Sequence, residues 1–189
     1  MEIGVPKEIK DKENRVALTP EGAKKLIEAG NEVLIENNAG LNSGFGNQEY
    51  VDVGAQIVDT ENAWNADLVI KVKEPVEKEY KFLKEQIVFT YFHLAGVTKT
   101  LTEALLQNKT TAVAYETVED EKGKLPLLAP MSAVAGNMSI TIGSYYLAKF
   151  NNGRGMQLGI VLGKKYGKVV VIGDGVVGKD AAKGAYGMG

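Results

Sequence analysis

Short apolar runs alternate with amphipathic segments from the first residues to about Leu125. Ile3 to Val5 reads as a strand. Thr19 then caps a helix with Pro20 at its first position, an apolar stripe of Ala23, Leu26 and Ile27, and Gly30 just past its end. Val33 to Ile35 is the next strand, and Leu68 to Val72, Ile87 to Phe92 and Thr111 to Ala114 read as further buried strands. Between them, Pro75 to Leu83 and Thr98 to Leu106 carry helical spacing. Strands alternating with helices predict a parallel, helix-covered sheet, an α/β domain of flavodoxin- or Rossmann-like type.

The pattern changes after "EDEKGKLPLLAP", where charge gives way to two prolines. From Pro130 to Lys149, Ala133, Gly136, Ile140, Gly143 and Leu147 share one face, which predicts a long, closely packed helix that "NNGRG" at 151–155 breaks. We therefore expect a first domain over 1–129, a connecting helix and linker over 130–152, and a second domain starting at 153.

That second domain announces itself in "VVVIGDGVVGKDAAKGAYGMG". Val169 to Ile172 is a β-branched run of strand type, followed by Gly173-x-Gly175-x-x-Gly178 and an Ala-rich helical stretch with Gly187 placed to end it. In a dinucleotide-binding turn the first glycine permits the tight turn and the second lets a backbone approach the pyrophosphate. The third lets helix and strand pack closely, and the helix N-terminus offers free N–H groups to the anion. A plain strand-to-helix turn is the alternative. The ribose-binding acid expected about 20 residues beyond the glycines would fall past Gly189. The expectation is thus a chain truncated within its nucleotide domain, holding one strand, the turn and one helix of it.

Composition narrows the class. The 44% hydrophobic and 24% charged residues are ordinary for a globular protein, and a net charge of −2 leaves no electrostatic footprint for nucleic acid or an anionic membrane. No cysteine is present, so disulfides and thiolate metal sites are excluded. No signal core or apolar run long enough for a bilayer is seen, and a cytoplasmic location without metal is expected.

Ligands of open α/β sheets sit at the carboxyl ends of the strands. Three residues stand there. Arg15 follows the first strand in "KDKENRVALTP", Lys73 ends "LVIKVKEP", and His93, the only histidine, ends "IVFTYFHLAG". Singly they read as a solvated arginine, a surface lysine and a core histidine. On neighbouring parallel strands they would converge as an anion fork, an ammonium donor and a proton-exchanging imidazole, a set suited to a small carboxylate.

These same blocks, with "TAVAYETV", "LPLLAPMSAVAG" and "GKVVVIGDGVVG", resemble in order and spacing those of the alanine dehydrogenases. The first domain of proton-translocating transhydrogenase opens with a similar GVPKE block, but the KVKEP and FHLA pairing is similar to the dehydrogenases. The resemblance implies reversible NAD-dependent oxidative deamination of L-alanine to pyruvate and ammonium by a homo-oligomer. It implies Arg15 and Lys73 on the substrate's carboxylate and carbonyl, His93 in proton transfer with Lys73 beside it, and Met131 lining the pocket. It further implies NAD held by Ser132 and by Gly173, Gly175, Val176, Val177 and Gly178. The chain departs from the family pattern at Ala133 and Asn137, where a Glu and a basic residue are common, and the family's second catalytic acid would fall beyond residue 189. Two other readings follow: a catalytically inactive fragment serving as a folded or partner-binding domain, and a transhydrogenase-like subunit.

Overall fold

A computed structural model describes residues 1–189. The chain divides into two compact units, Met1–Thr117 and Val118–Gly189.

In the first unit the predicted alternation becomes β1 (Glu2–Val5), α1 (Pro20–Glu28), β2 (Glu32–Glu36), α2 (Asn47–Asp52), β3 (Gln56–Val58) and α3 (Thr60–Trp64). There follow β4 (Leu68–Lys73), β5 (Ile87–Tyr91), α4 (Lys99–Gln107) and β6 (Thr111–Ala114). The six strands form one sheet in the order β3-β2-β1-β4-β5-β6, every pairing parallel. That is the Rossmann order, and its switch point lies between β1 and β4, where successive connections leave in opposite directions.

Local chemistry explains most element ends. The Thr19 hydroxyl accepts from the Gly22 N–H at 3.2 Å, Pro20 stands in the first turn, and Gly30 leaves the helix at φ +84°. Two apolar clusters bury the sheet: Trp64, Val69, Leu83, Val88, Phe92, Leu101 and Leu105 in one, Val5, Ala23, Val33, Ile35, Tyr50 and Ala55 in the other. Each large side chain so buried contributes about 1.5–3 kcal/mol.

Three expectations are corrected. The helical spacing from Pro75 yields only 3-10 geometry over Glu77–Phe82, because Glu79 turns back to cap its own N-terminus at Val76 and Leu83 returns to extended backbone. The run Thr111 to Ala114 is an edge strand, largely exposed. Val169 to Ile172 forms no strand: nothing pairs with it, and Val170 and Ile172 are 75% and 97% exposed. A β-branched run becomes a strand only when a neighbour takes its N–H and C=O groups.

The second unit holds α5 (Ala129–Leu147), the hairpin β7 (Gly159–Val161) and β8 (Lys164–Tyr166), and α6 (Val176–Gly187). Leu162 and Gly163 turn the hairpin with positive φ. Gly187 is the last helical residue, and Met188 is the cap. The expected apolar face of α5 buries Gly136 and Ile140. At Gly136 a Cβ would meet the Val177 carbonyl at 2.4 Å, so α5 and α6 touch backbone to backbone.

Candidate active site

The carboxyl ends of β1, β4, β5 and β6 gather charged and phenolic side chains within the first unit. Arg15 rides the long loop between β1 and α1, and that loop is fastened to the body. The Ser43 hydroxyl donates to the Asn14 carbonyl (2.9 Å) and accepts from the Val16 N–H (3.0 Å). The Tyr50 hydroxyl, whose pKa burial pushes up to about 12, donates to the Leu18 carbonyl at 2.8 Å.

Arg15 Nε and Nη2 donate to Glu13 Oε1 and Oε2 at 2.8 and 2.7 Å, a bidentate clasp. Those hydrogen bonds, with the nearby Lys73 charge adding to them, hold the Glu13 carboxyl down at about 2. The same clasp raises Arg15 further, and Tyr91 and Glu8 add to the effect. Arg15 and Lys73 are thus brought to one place, around Glu13.

Lys73 closes β4 opposite Tyr91 of β5, half-buried, and its ammonium makes no hydrogen bond or ion pair. Tyr91 packs edge-on against Tyr115 at 4.7 Å, and burial, with Tyr91 and Glu8 nearby, pushes the Tyr115 hydroxyl well above its ordinary range. His93 stands two residues beyond β5, exposed, in left-handed backbone (φ 45°, ψ 45°). Its N–H donates to Glu116 Oε1 at 2.5 Å, while Glu116 Oε2 is buried without a partner. Non-glycine residues take this conformation only where their surroundings impose it.

Beneath this group lies a buried charge triad. Lys71 Nζ donates to Glu79 Oε1 (2.9 Å) and Glu8 Oε2 (3.3 Å), all three side chains at most 4% exposed. Burial pushes the Glu79 carboxyl up, and the Lys71 charge opposes that rise. Reading the strand ends passed over Glu8, Glu13, Lys71, Glu79 and Glu116. Only Lys71 left a trace: a lysine inside "LVIKVK" must either break the strand or find buried partners.

The remaining predicted residues lie in the second unit. Met131 and Ser132 are in the first turn of α5, both half-buried. Gly173, Gly175, Val176, Val177 and Gly178 form one turn entering α6. Gly173 has φ +105°, open only to glycine, and a Cβ on Gly178 would meet the Gly173 carbonyl at 2.1 Å. Gly175, at the N-cap, brings no side chain to the first N–H groups of the helix, and a Cβ there would meet nothing within 4 Å. A turn this bare, aimed along a helix N-terminus, fits a dinucleotide pyrophosphate.

The profile described as "Alanine dehydrogenase/PNT, N-terminal domain" matches residues 4–135, and that of the corresponding C-terminal domain matches 139–189. Alanine dehydrogenase of Staphylococcus epidermidis is 54% identical over the whole of this chain, and alanine dehydrogenase 2 of Staphylococcus aureus 51%. Each alignment takes in 51% of the relative, so the chain spans about half the length of the curated relatives it matches. A solved L-alanine dehydrogenase superposes with a TM-score of 0.90 at 51% identity, over 100% of this chain and 52% of that one. A transhydrogenase from Sinorhizobium meliloti, at 24% identity and a TM-score of 0.77 over 57% of its length, shares the fold. With both of its profiles matched in order along the same 189 residues, the chain belongs to the alanine dehydrogenase/PNT family.

Proposed function

We propose that this chain contributes the substrate-binding part, and the opening of the nucleotide-binding part, of an NAD-dependent alanine dehydrogenase. The observation that supports this most is the 51–54% identity to alanine dehydrogenases along its entire length. In this reading residues 1–129 are the substrate domain, 130–152 the connection and 153–189 the start of the NAD domain. The protein works in the cytoplasm as a homo-oligomer. No helix is long and apolar enough to cross a membrane.

Arg15 and Lys73 bind the carboxylate and carbonyl of pyruvate, or the carboxylate of alanine, by paired donors and a compact positive charge. Cations there also stabilise negative charge developing on the carbonyl oxygen. His93 moves a proton at an imidazole nitrogen as water adds to the imine formed from alanine. Met131 lines the pocket. Ser132, Gly173, Gly175, Val176, Val177 and Gly178 hold NAD, which when bound accepts the alanine α-hydrogen as hydride.

Calorimetric titration of the 189-residue chain with NADH, with and without pyruvate, tests the reading. Saturable NADH binding, with a pyruvate response that Arg15→Ala abolishes, is the expected result. An Arg15→Ala chain that still takes pyruvate with unchanged affinity would remove Arg15 from the substrate role.

A further inference from the structure

The ladder between β4 and β5 slips where Lys73 begins to leave the sheet. Ile70 pairs with Phe89 and Lys73 with Tyr91, so Lys71 and Val72 together face Thr90. This is a β-bulge, which re-aims the side chains beyond it. On the other side, β1 pairs with β4 only at Leu68 and Val69, leaving the far end of β4 without a ladder partner there.

Glu8, just past β1, occupies that gap. Its Oε1 accepts from both the Val72 N–H (2.6 Å) and the Lys73 N–H (3.2 Å). Successive N–H groups of a regular strand point to opposite neighbours, so sharing one acceptor requires the bulge. The other oxygen, Oε2, receives the Lys71 ammonium, which Glu79 holds from its far side. A buried carboxylate with two backbone donors and one cation has few other places to go.

We infer that Glu8 is a positioning residue for Lys73: its carboxylate locks the Lys71–Val72 bulge and so directs Lys73 at the switch point, with Lys71 and Glu79 holding Glu8 in place. The inference rests on the reading in which Lys73 meets the substrate.

Amide exchange of the 189-residue chain, resolved residue by residue by NMR, tests it beside pyruvate titrations. In Glu8→Ala the Val72 and Lys73 amides are expected to exchange about ten-fold faster, the order of effect of one charge-assisted hydrogen bond, with pyruvate affinity falling by a similar factor. Val33 and Ile35, paired in β2, keep their rates. Glu8→Gln keeps an oxygen acceptor and restores most of both. Unchanged exchange at Val72 and Lys73 in Glu8→Ala, or an equal rise along every strand, overturns the inference while leaving Lys73 in the site. Should Glu8→Ala fail to fold, Glu8→Met fills the same volume without an acceptor, leaves Lys71 paired with Glu79, and is held to the same outcomes. Pyruvate binding that Lys73→Ala leaves unchanged, or none by the unaltered chain, overturns the underlying reading and with it the role of Glu8 there.

Discussion

Arg15 and Lys73 bring the same charge to the same strand ends but hold it differently. Arg15 is clasped by Glu13, while the Lys73 ammonium is unpaired and only its backbone is fixed. Glu13 occupies the Nε and Nη2 edge of the guanidinium. Glu13 titrates at about 2, below its ordinary 4.5, so the folded state favours its ionised form. Its contribution to stability is full above the ordinary value and is lost as pH falls through about 2. Carboxyl NMR across that range should show Glu13 ionised at pH 3, and Glu13→Gln should lose much of the stability difference between pH 4.5 and 2. A Glu13 midpoint near 4.5 would refute the clasp in solution. Tyr50→Phe removes the donor to Leu18 from a fully buried residue and should cost about 1–2 kcal/mol in urea unfolding, loosening the loop that carries Arg15. Lys73 and His93 were legible in the sequence because each ends an apolar run, and Arg15 because it stands in the loop after the first strand. Glu8, Glu13 and Glu116 were not, since an acid in a charged loop carries no mark of the partner it will find.

At the scale of elements, two glycines of the turn differ in what surrounds them. Gly178 packs on the carbonyl of Gly173, whereas Gly175 faces open space with ordinary φ. Gly178→Ala should therefore lower the melting temperature and NADH binding together. Gly175→Ala meets no neighbour and should lower the melting temperature less than Gly178→Ala, by no more than the cost of alanine in place of an N-cap glycine, yet weaken NADH binding through contact with the pyrophosphate. Equal NADH affinity in Gly175→Ala and the unaltered chain would remove that glycine from the cofactor site. The strands β1, β2, β4 and β5 and the helices α1, α4 and α5 follow from periodicity and caps. Short elements escape it: β3 has three residues and α3 five, too few for a period to repeat. The 3-10 turn after Pro75 shows the opposite failure, where helical spacing was present but Glu79 diverted the backbone.

Across the whole molecule the apolar core is unevenly shared. Of the buried apolar side chains, only those of Ile140 and Ala181 belong to the second unit, which also exposes Ile172, Val170 and Tyr186. Hydrogen exchange should accordingly show the amides of β1, β2 and β4 protected to the level of global unfolding, with α5 and α6 opening at lower free energy. Equal protection in the two units would mean that the second is stabilised by association. The sequence by itself determined the parallel α/β class, the caps of α1, the long α5, the glycine turn and the places of Arg15, Lys73 and His93 after β1, β4 and β5, because each depends on neighbours within a few residues along the chain. Tertiary structure alone decided the strand order and hence the switch point, the bulge beside Lys73, the buried Lys71 triad and the failure of Val169–Ile172 to become a strand. Those depend on which backbone or charge lies alongside, and partners 60 or more residues away, as Glu8 is from Lys71, leave no periodicity to read.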